Sequence, residues 1–230
     1  MKTRQIIKPC IDAAMYVLFL LLMEQYLIAD AAHEWMGIAV FVLFLLHNAL
    51  NYRWYAALFK GRYNCLRIVQ TAINFLLWLA MLGCIVSSLM ISGTVFSGLV
   101  IPGSRYGALI HMVCTAWAFV LMSLHSGLHW AQFTVIARRV KLRENAKKVI
   151  VWICRALVLA VCAVGVWVFI DRAFYEELFL LSEYKTYDYD VNAFVYMLET
   201  AALSAVFVSI AYYIKKLYLF ISRKSKETVK

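Results

Sequence analysis

Four of the chain's five histidines form two pairs of equal spacing: His33 and His47 in HEWMGIAVFVLFLLHNALNY, and His111 and His125 in HMVCTAWAFVLMSLHSGLHW. On a helix, fourteen residues rise about 21 Å and complete four turns less about 40°, so each pair shares one face. Neutral imidazole is a good axial ligand for haem iron. Two such helices crossing a membrane in the same direction would set His33 level with His111, and His47 level with His125. The expectation is two bis-histidine haem sites, one above the other. Zinc fits less well, since three or four ligands must converge within about 2 Å of one point. His129 lies five helical turns beyond His111, on the same face, and is the alternative to His125 as inner iron ligand.

The elements that must carry these residues are set by composition. Of 230 residues, 64% are hydrophobic and 16% charged, with mean hydropathy +0.76, more apolar surface than a water-soluble domain of this size could cover. The fold expected is all-α and polytopic. Six runs, 10–29, 33–52, 67–92, 107–135, 148–170 and 192–214, are long enough to cross about 30 Å of hydrocarbon. Residues 1–137 are read as a four-helix haem-binding bundle built from an internal repeat, helices 1–2 and 3–4. Residues 138–230 add a basic inner loop, two more helices, an acidic outer segment at 171–191 and a basic tail.

Charge alternates from loop to loop. Lys2, Arg4 and Lys8, then Arg53, Lys60 and Arg62, then the basic residues from Arg138 to Lys148, then the tail from Lys215 lie on one side. Asp30 and Glu34, the lone Arg105, and the acidic stretch from Asp171 lie on the other. The bias of Lys and Arg toward cytoplasmic loops places both termini inside. The net charge of +10 sits beside apolar spans, where it orients helices and meets lipid headgroups, so it does not indicate nucleic acid. The first apolar run is read as a retained span and not as a cleaved signal. Cysteines lie within spans or toward the inner face, which argues against a disulfide framework, and no C-x-x-C-H marks covalent haem.

Several polar residues near the expected sites are candidates for supporting roles. Arg105, six residues before His111, would suit a haem propionate, because guanidinium matches carboxylate geometry. Ser92 and Gly93, in SSLMISGTVFSG, would let a backbone approach a neighbour or a flat ligand closely. Asn51 and Arg53 stand at the inner end as cofactor contacts. Glu24, Glu199 and His129 are candidate proton or quinone groups, since carboxylates near or within spans are costly. No residue is assigned a bond-making catalytic role.

The H-E-W-x-G start of the second helix resembles the flavinylation-associated cytochrome domain, a bacterial membrane cytochrome b module. So do the histidine fourteen residues later followed by Asn-Tyr-Arg-Trp, the S-G-x-x-x-S from Ser92 to Ser97, and the closing L-H-x-x-L-H-W of the fourth helix. The similarity covers roughly residues 11–135. It implies haem b on His33, His47, His111 and His125, location in the bacterial cytoplasmic membrane, and electron traffic to a flavin-bearing protein outside the cytoplasm. This chain departs from the family where Asn51 and Tyr52 replace a second His-Trp ending.

Together these features lead us to expect a transmembrane electron relay between the quinol pool and an extracytoplasmic flavinylated or cytochrome partner, an electron-transfer subunit more than a self-contained enzyme. Two alternatives stand beside it. One is the cytochrome b membrane anchor of a reductase, hydrogenase or dehydrogenase complex, passing electrons to quinone. The other is a haem-free transport or assembly protein.

Overall fold

In the computed structural model of the chain, residues 4–25, 28–98, 104–130, 144–183 and 191–228 are described. The expected turn at Pro102, the last five residues of the fourth run, the inner loop from Arg138 to Arg143, and most of the acidic segment beyond Glu183 lie outside them. The described residues form helices joined by turns and loops, with no strand among them: α1 (Arg4–Leu22), α2 (Asp30–Leu50), α3 (Tyr52–Ala57), α4 (Cys65–Ile91), α5 (Ser104–His129), α6 (Glu144–Asp171), α7 (Phe174–Phe179) and α8 (Ala193–Thr228). Five of them, α2, α4, α5, α6 and α8, are long and apolar enough to cross a membrane.

The first run differs from expectation. Its helix begins at Arg4 and stops at Leu22, instead of covering 10–29, and is not among the five. The reason lies in its composition. Lys8, Pro9 and Asp12 occupy its first half, leaving about 15 Å of continuous apolar helix from Ala13 to Leu22. Pro9 lies inside the helix and lacks the N–H that would bond the Gln5 carbonyl, which weakens its first half further.

Lipid as solvent explains the surface. On α6, Leu159, Trp152 and Ile170 are 71%, 68% and 65% exposed, a face that would be untenable in water but is ordinary against acyl chains. Without a hydrophobic drive between helices, close association depends on small residues and internal hydrogen bonds. Close packing joins α4 to α5, α5 to α8, α6 to α8 and α1 to α2. A Cβ on Gly127 would stand 2.3 Å from the Val208 carbonyl oxygen, and one on Gly165 2.2 Å from that of Ala202, so α8 is seated on α5 and α6 where side chains are missing. Gly83 and Gly107 bring α4 and α5 together in the same way.

Polar bonds cross the core at one level. Ser123 and Ser204, both fully buried, are 2.7 Å apart, and the Tyr16 hydroxyl bonds Ser204, which ties α1, α8 and α5. Phe119, with no exposed surface, packs against Phe174 and Phe207. The C-terminal helices therefore share one core with α1, α2, α4 and α5. Along their backbones α2 and α5 are not closely packed, and they meet through side chains.

Gly127→Leu is expected to push α8 from α5 and to cost about 1–3 kcal/mol, the usual range for overpacking. Thermal unfolding in detergent should fall for this variant, while Gly37→Ala, where a Cβ meets nothing within 4 Å, should unfold as the parent does.

Candidate functional site

At the end carrying the N-terminus, the basic end, His47 and His125 face one another with ring centroids 6.4 Å apart and planes inclined by 74°. Each is held from behind by a different helix. The Nδ1 of His47 lies 2.7 Å from the Asp12 carboxylate of α1, and the Nδ1 of His125 lies 2.7 Å from the Asn74 side-chain oxygen of α4. The Nε2 of His47, 3.4 Å from the Asn51 amide, carries the lone pair, because a carboxylate can only accept and the ring proton therefore sits on Nδ1. The same holds for His125 against the Asn74 carbonyl.

At the acidic end, His111 is anchored by serines of α4. Its Nδ1 is 3.1 Å from Ser87 Oγ and 3.3 Å from Ser88 Oγ. Both hydroxyls donate to backbone carbonyls of the preceding turn, Gly83 and Cys84, so their lone pairs remain to accept from the imidazole. The glycine-mediated approach of α4 to α5 makes this reach short enough. His33 lies in the first turn of α2, its Nδ1 enclosed and without a hydrogen-bond partner. Gly37, one turn inward on the His33 face, has open space where a Cβ would be.

Glu34 does something its position in the first turn of α2 did not suggest. Its carboxylate accepts four hydrogen bonds from the loop after α4: Ser92 Oγ at 2.7 Å, and the backbone N–H groups of Gly93, Thr94 and Val95 at 3.0, 3.1 and 2.8 Å. Successive N–H groups turned to one point form an anion-binding nest, here filled from within the chain. Ser92 and Gly93, expected beside a flat ligand, are thus committed to clamping this loop onto α2.

Other expected contacts are placed as follows. Arg105 forms a salt bridge with Glu183 at 2.8 Å on the exposed surface of the acidic end. Arg53 is exposed, 6.0 Å from the centroid of the Tyr52 ring. Asn51 accepts from Lys8 Nζ at 2.9 Å and donates to the His47 carbonyl at 2.9 Å, with its amide 3.4 Å from His47 Nε2. The ring of His129 lies 4.8 Å from that of His125, and Lys215 donates to the adjacent Leu128 carbonyl. Glu24 accepts from Thr200, and Glu199 pairs with Arg172.

Asp12, Asn74, Ser87 and Ser88 were not singled out as histidine partners. The available signal was a polar group in an apolar span facing a neighbouring helix, which sequence separations of 23–51 residues conceal. Among the described residues, no three His, Cys, Asp or Glu side chains converge on a point, so the histidines come as pairs with polar supports. Comparison with protein-family models, with curated proteins and with solved structures finds no match to this chain.

Replacing Glu34 with Ala should leave three backbone N–H groups and the Ser92 hydroxyl without their acceptor. Faster amide hydrogen exchange at Gly93, Thr94 and Val95 is the expected outcome. Unchanged exchange there would show that the loop holds without the clamp.

Proposed function

We propose that the chain is a membrane b-type cytochrome subunit that carries electrons between the two membrane faces through two bis-histidine haems. The observation carrying this reading is the way three imidazoles are held: Nδ1 of His47, His125 and His111 is bonded to an acceptor on another helix, which leaves Nε2 as the nitrogen that would ligate iron. Metal-ligating histidines are typically fixed in this manner. An iron about 2 Å from each of two imidazole nitrogens would set their centroids about 6.3 Å apart. The 6.4 Å between His47 and His125 fits this spacing.

The residues present also fit the bulk of a flat macrocycle. The backbones of α2 and α5 are not close-packed although their histidines meet, and Gly37 leaves room beside His33. His47 and His125 would hold the haem of the basic end, His33 and His111 that of the acidic end. Bound haem supplies one-electron chemistry, and the chain fixes the ligands, excludes water and tunes each site through its hydrogen bonds. Asp12 makes His47 the more electron-rich ligand, while the serines give His111 a weaker partner. The two sites therefore have unequal surroundings, as a directional relay requires.

By the loop charges, six helices span the cytoplasmic membrane of a bacterium with the basic end inside, α1 crossing with only its second half apolar and its charged first half at the inner interface. The acidic-end site then faces an extracytoplasmic flavinylated or cytochrome partner, and quinol supplies the electrons. Asn51 and Lys8 lie beside His47, where they can meet an anionic group of the inner cofactor. Of the two candidate inner ligands, the Asn74 bond and the 6.4 Å separation favour His125 over His129.

Purified from haem-replete cells, the chain should contain two extractable haems. His33→Ala or His111→Ala should each remove the acidic-end haem alone, and His47→Ala or His125→Ala the other. A full complement in all four variants would overturn the ligand assignment, and no haem in the parent would overturn the reading. Asp12→Asn should weaken haem retention at the basic end by about 10–100-fold, the usual effect of losing an outer-shell partner.

A further inference from the structure

At the acidic end, α5, α7 and α8 and the segments after α1 and α6 enclose a cavity of about 30 Å³ lined by Glu24, Phe119, Arg172, Glu177, Tyr196 and Thr200, among others. Its roof is α7, bracketed by Ala173 and Leu180, both in the left-handed region at φ 47° and 56°. Neither residue is glycine, so each costs about 1–2 kcal/mol relative to ordinary helical backbone. The roof is held down by the Trp117 indole N–H, which donates to the Leu178 carbonyl at 3.0 Å, and by Phe174 against Phe119.

Glu24 is 3% exposed. One of its oxygens accepts from the Thr200 hydroxyl, and the other, Oε2, is enclosed and has no hydrogen-bond partner. A bare carboxyl oxygen in such a place calls for a ligand. Three kinds can be weighed. A metal cation is disfavoured by the Arg172 guanidinium in the same wall and by the absence, among the described residues, of three convergent acidic, His or Cys side chains. A quinone ring is far too large. Water fits, since about 10–15 Å³ suffices for one molecule.

We propose that this cavity is a proton-exchange site, in which Glu24 binds and releases a proton by way of enclosed water, with the partly exposed Glu177 as its outlet to the acidic end. The charged and titratable groups facing it are Arg172 from the segment after α6, Glu177 from α7, and Tyr196 from α8. Glu199 of α8 stands behind Arg172 and pairs with it, and the Arg172 guanidinium lies 3.4 Å from the Tyr196 ring centroid. This fixed cation, paired with Glu199 and set in the same cavity wall as Glu24, lets Glu24 change charge without moving the helices. The lining from α5, Phe119, is apolar, so exchange is confined to the α7 side. The site stands apart from the haem reading, because among the described residues none of the four ligand histidines lines the cavity.

The test is infrared difference spectroscopy of the full chain in lipid nanodiscs, recorded between two pH values and after transfer to deuterium oxide. A carboxyl C=O band that responds to both is expected. Glu24→Gln should abolish it, Thr200→Val should shift its frequency by removing the hydrogen bond, and Glu177→Gln should slow its response to deuterium. A band unchanged in Glu24→Gln overturns the proposal. If Glu24→Gln does not fold, the Thr200→Val spectrum decides: a shifted band supports the assignment, and an unshifted one overturns it. A band that never responds to deuterium also overturns it. Each result is independent of haem content, measured separately on the same sample.

Discussion

An imidazole has two nitrogens, and a hydrogen bond at one decides what the other can do. In lipid this matters more than in water, because no solvent stands ready to satisfy the second nitrogen. The chain uses a carboxylate, an amide oxygen and serine hydroxyls, each on a different helix from its histidine, to bind Nδ1 of His47, His125 and His111. Those bonds fix tautomer and ring direction together. They also require α1 to lie against α2 and α4 against α5, and this is the packing observed.

The rest of the architecture makes those pairings possible. Gly83 and Gly107 let α4 approach α5 until Ser87 reaches His111, and Gly127 and Gly165 seat α8 as a common wall behind α5 and α6. The Tyr16, Ser204 and Ser123 chain brings α1 into the same core, which steadies Asp12 about one turn away. At the acidic end Glu34 gathers the Ser92–Val95 loop onto α2, closing that end of the bundle with charge-assisted hydrogen bonds. α2 and α5 keep their backbones apart while their side chains meet, and that is where His47 and His125 are.

The histidine faces were legible because helical periodicity is a local property: fourteen residues return to the same side whatever surrounds them. Multi-pass membrane character was legible from apolar run length. The partners were not, since Asp12, Asn74 and Ser87 reach their histidines across 24–51 residues of sequence, and periodicity names a face without naming its neighbour. Glu34 reads in the sequence only as one of the outer-side charges. Arg105 looked toward His111 in sequence, yet its carboxylate partner is Glu183. The end of α1 was misread because its apolar residues continue past Leu22, whereas the backbone turns there and buries Glu24.

In the proposed relay, imidazoles from α2 and α5 present their Nε2 atoms to each other at two depths. Electron paramagnetic resonance of the oxidised, haem-loaded chain tests it most directly, because two nitrogen ligands enforce a low-spin ferric state. Two low-spin signals are predicted, with one lost in His47→Ala and the other in His33→Ala. High-spin iron alone, or low-spin signals indifferent to both substitutions, would contradict it.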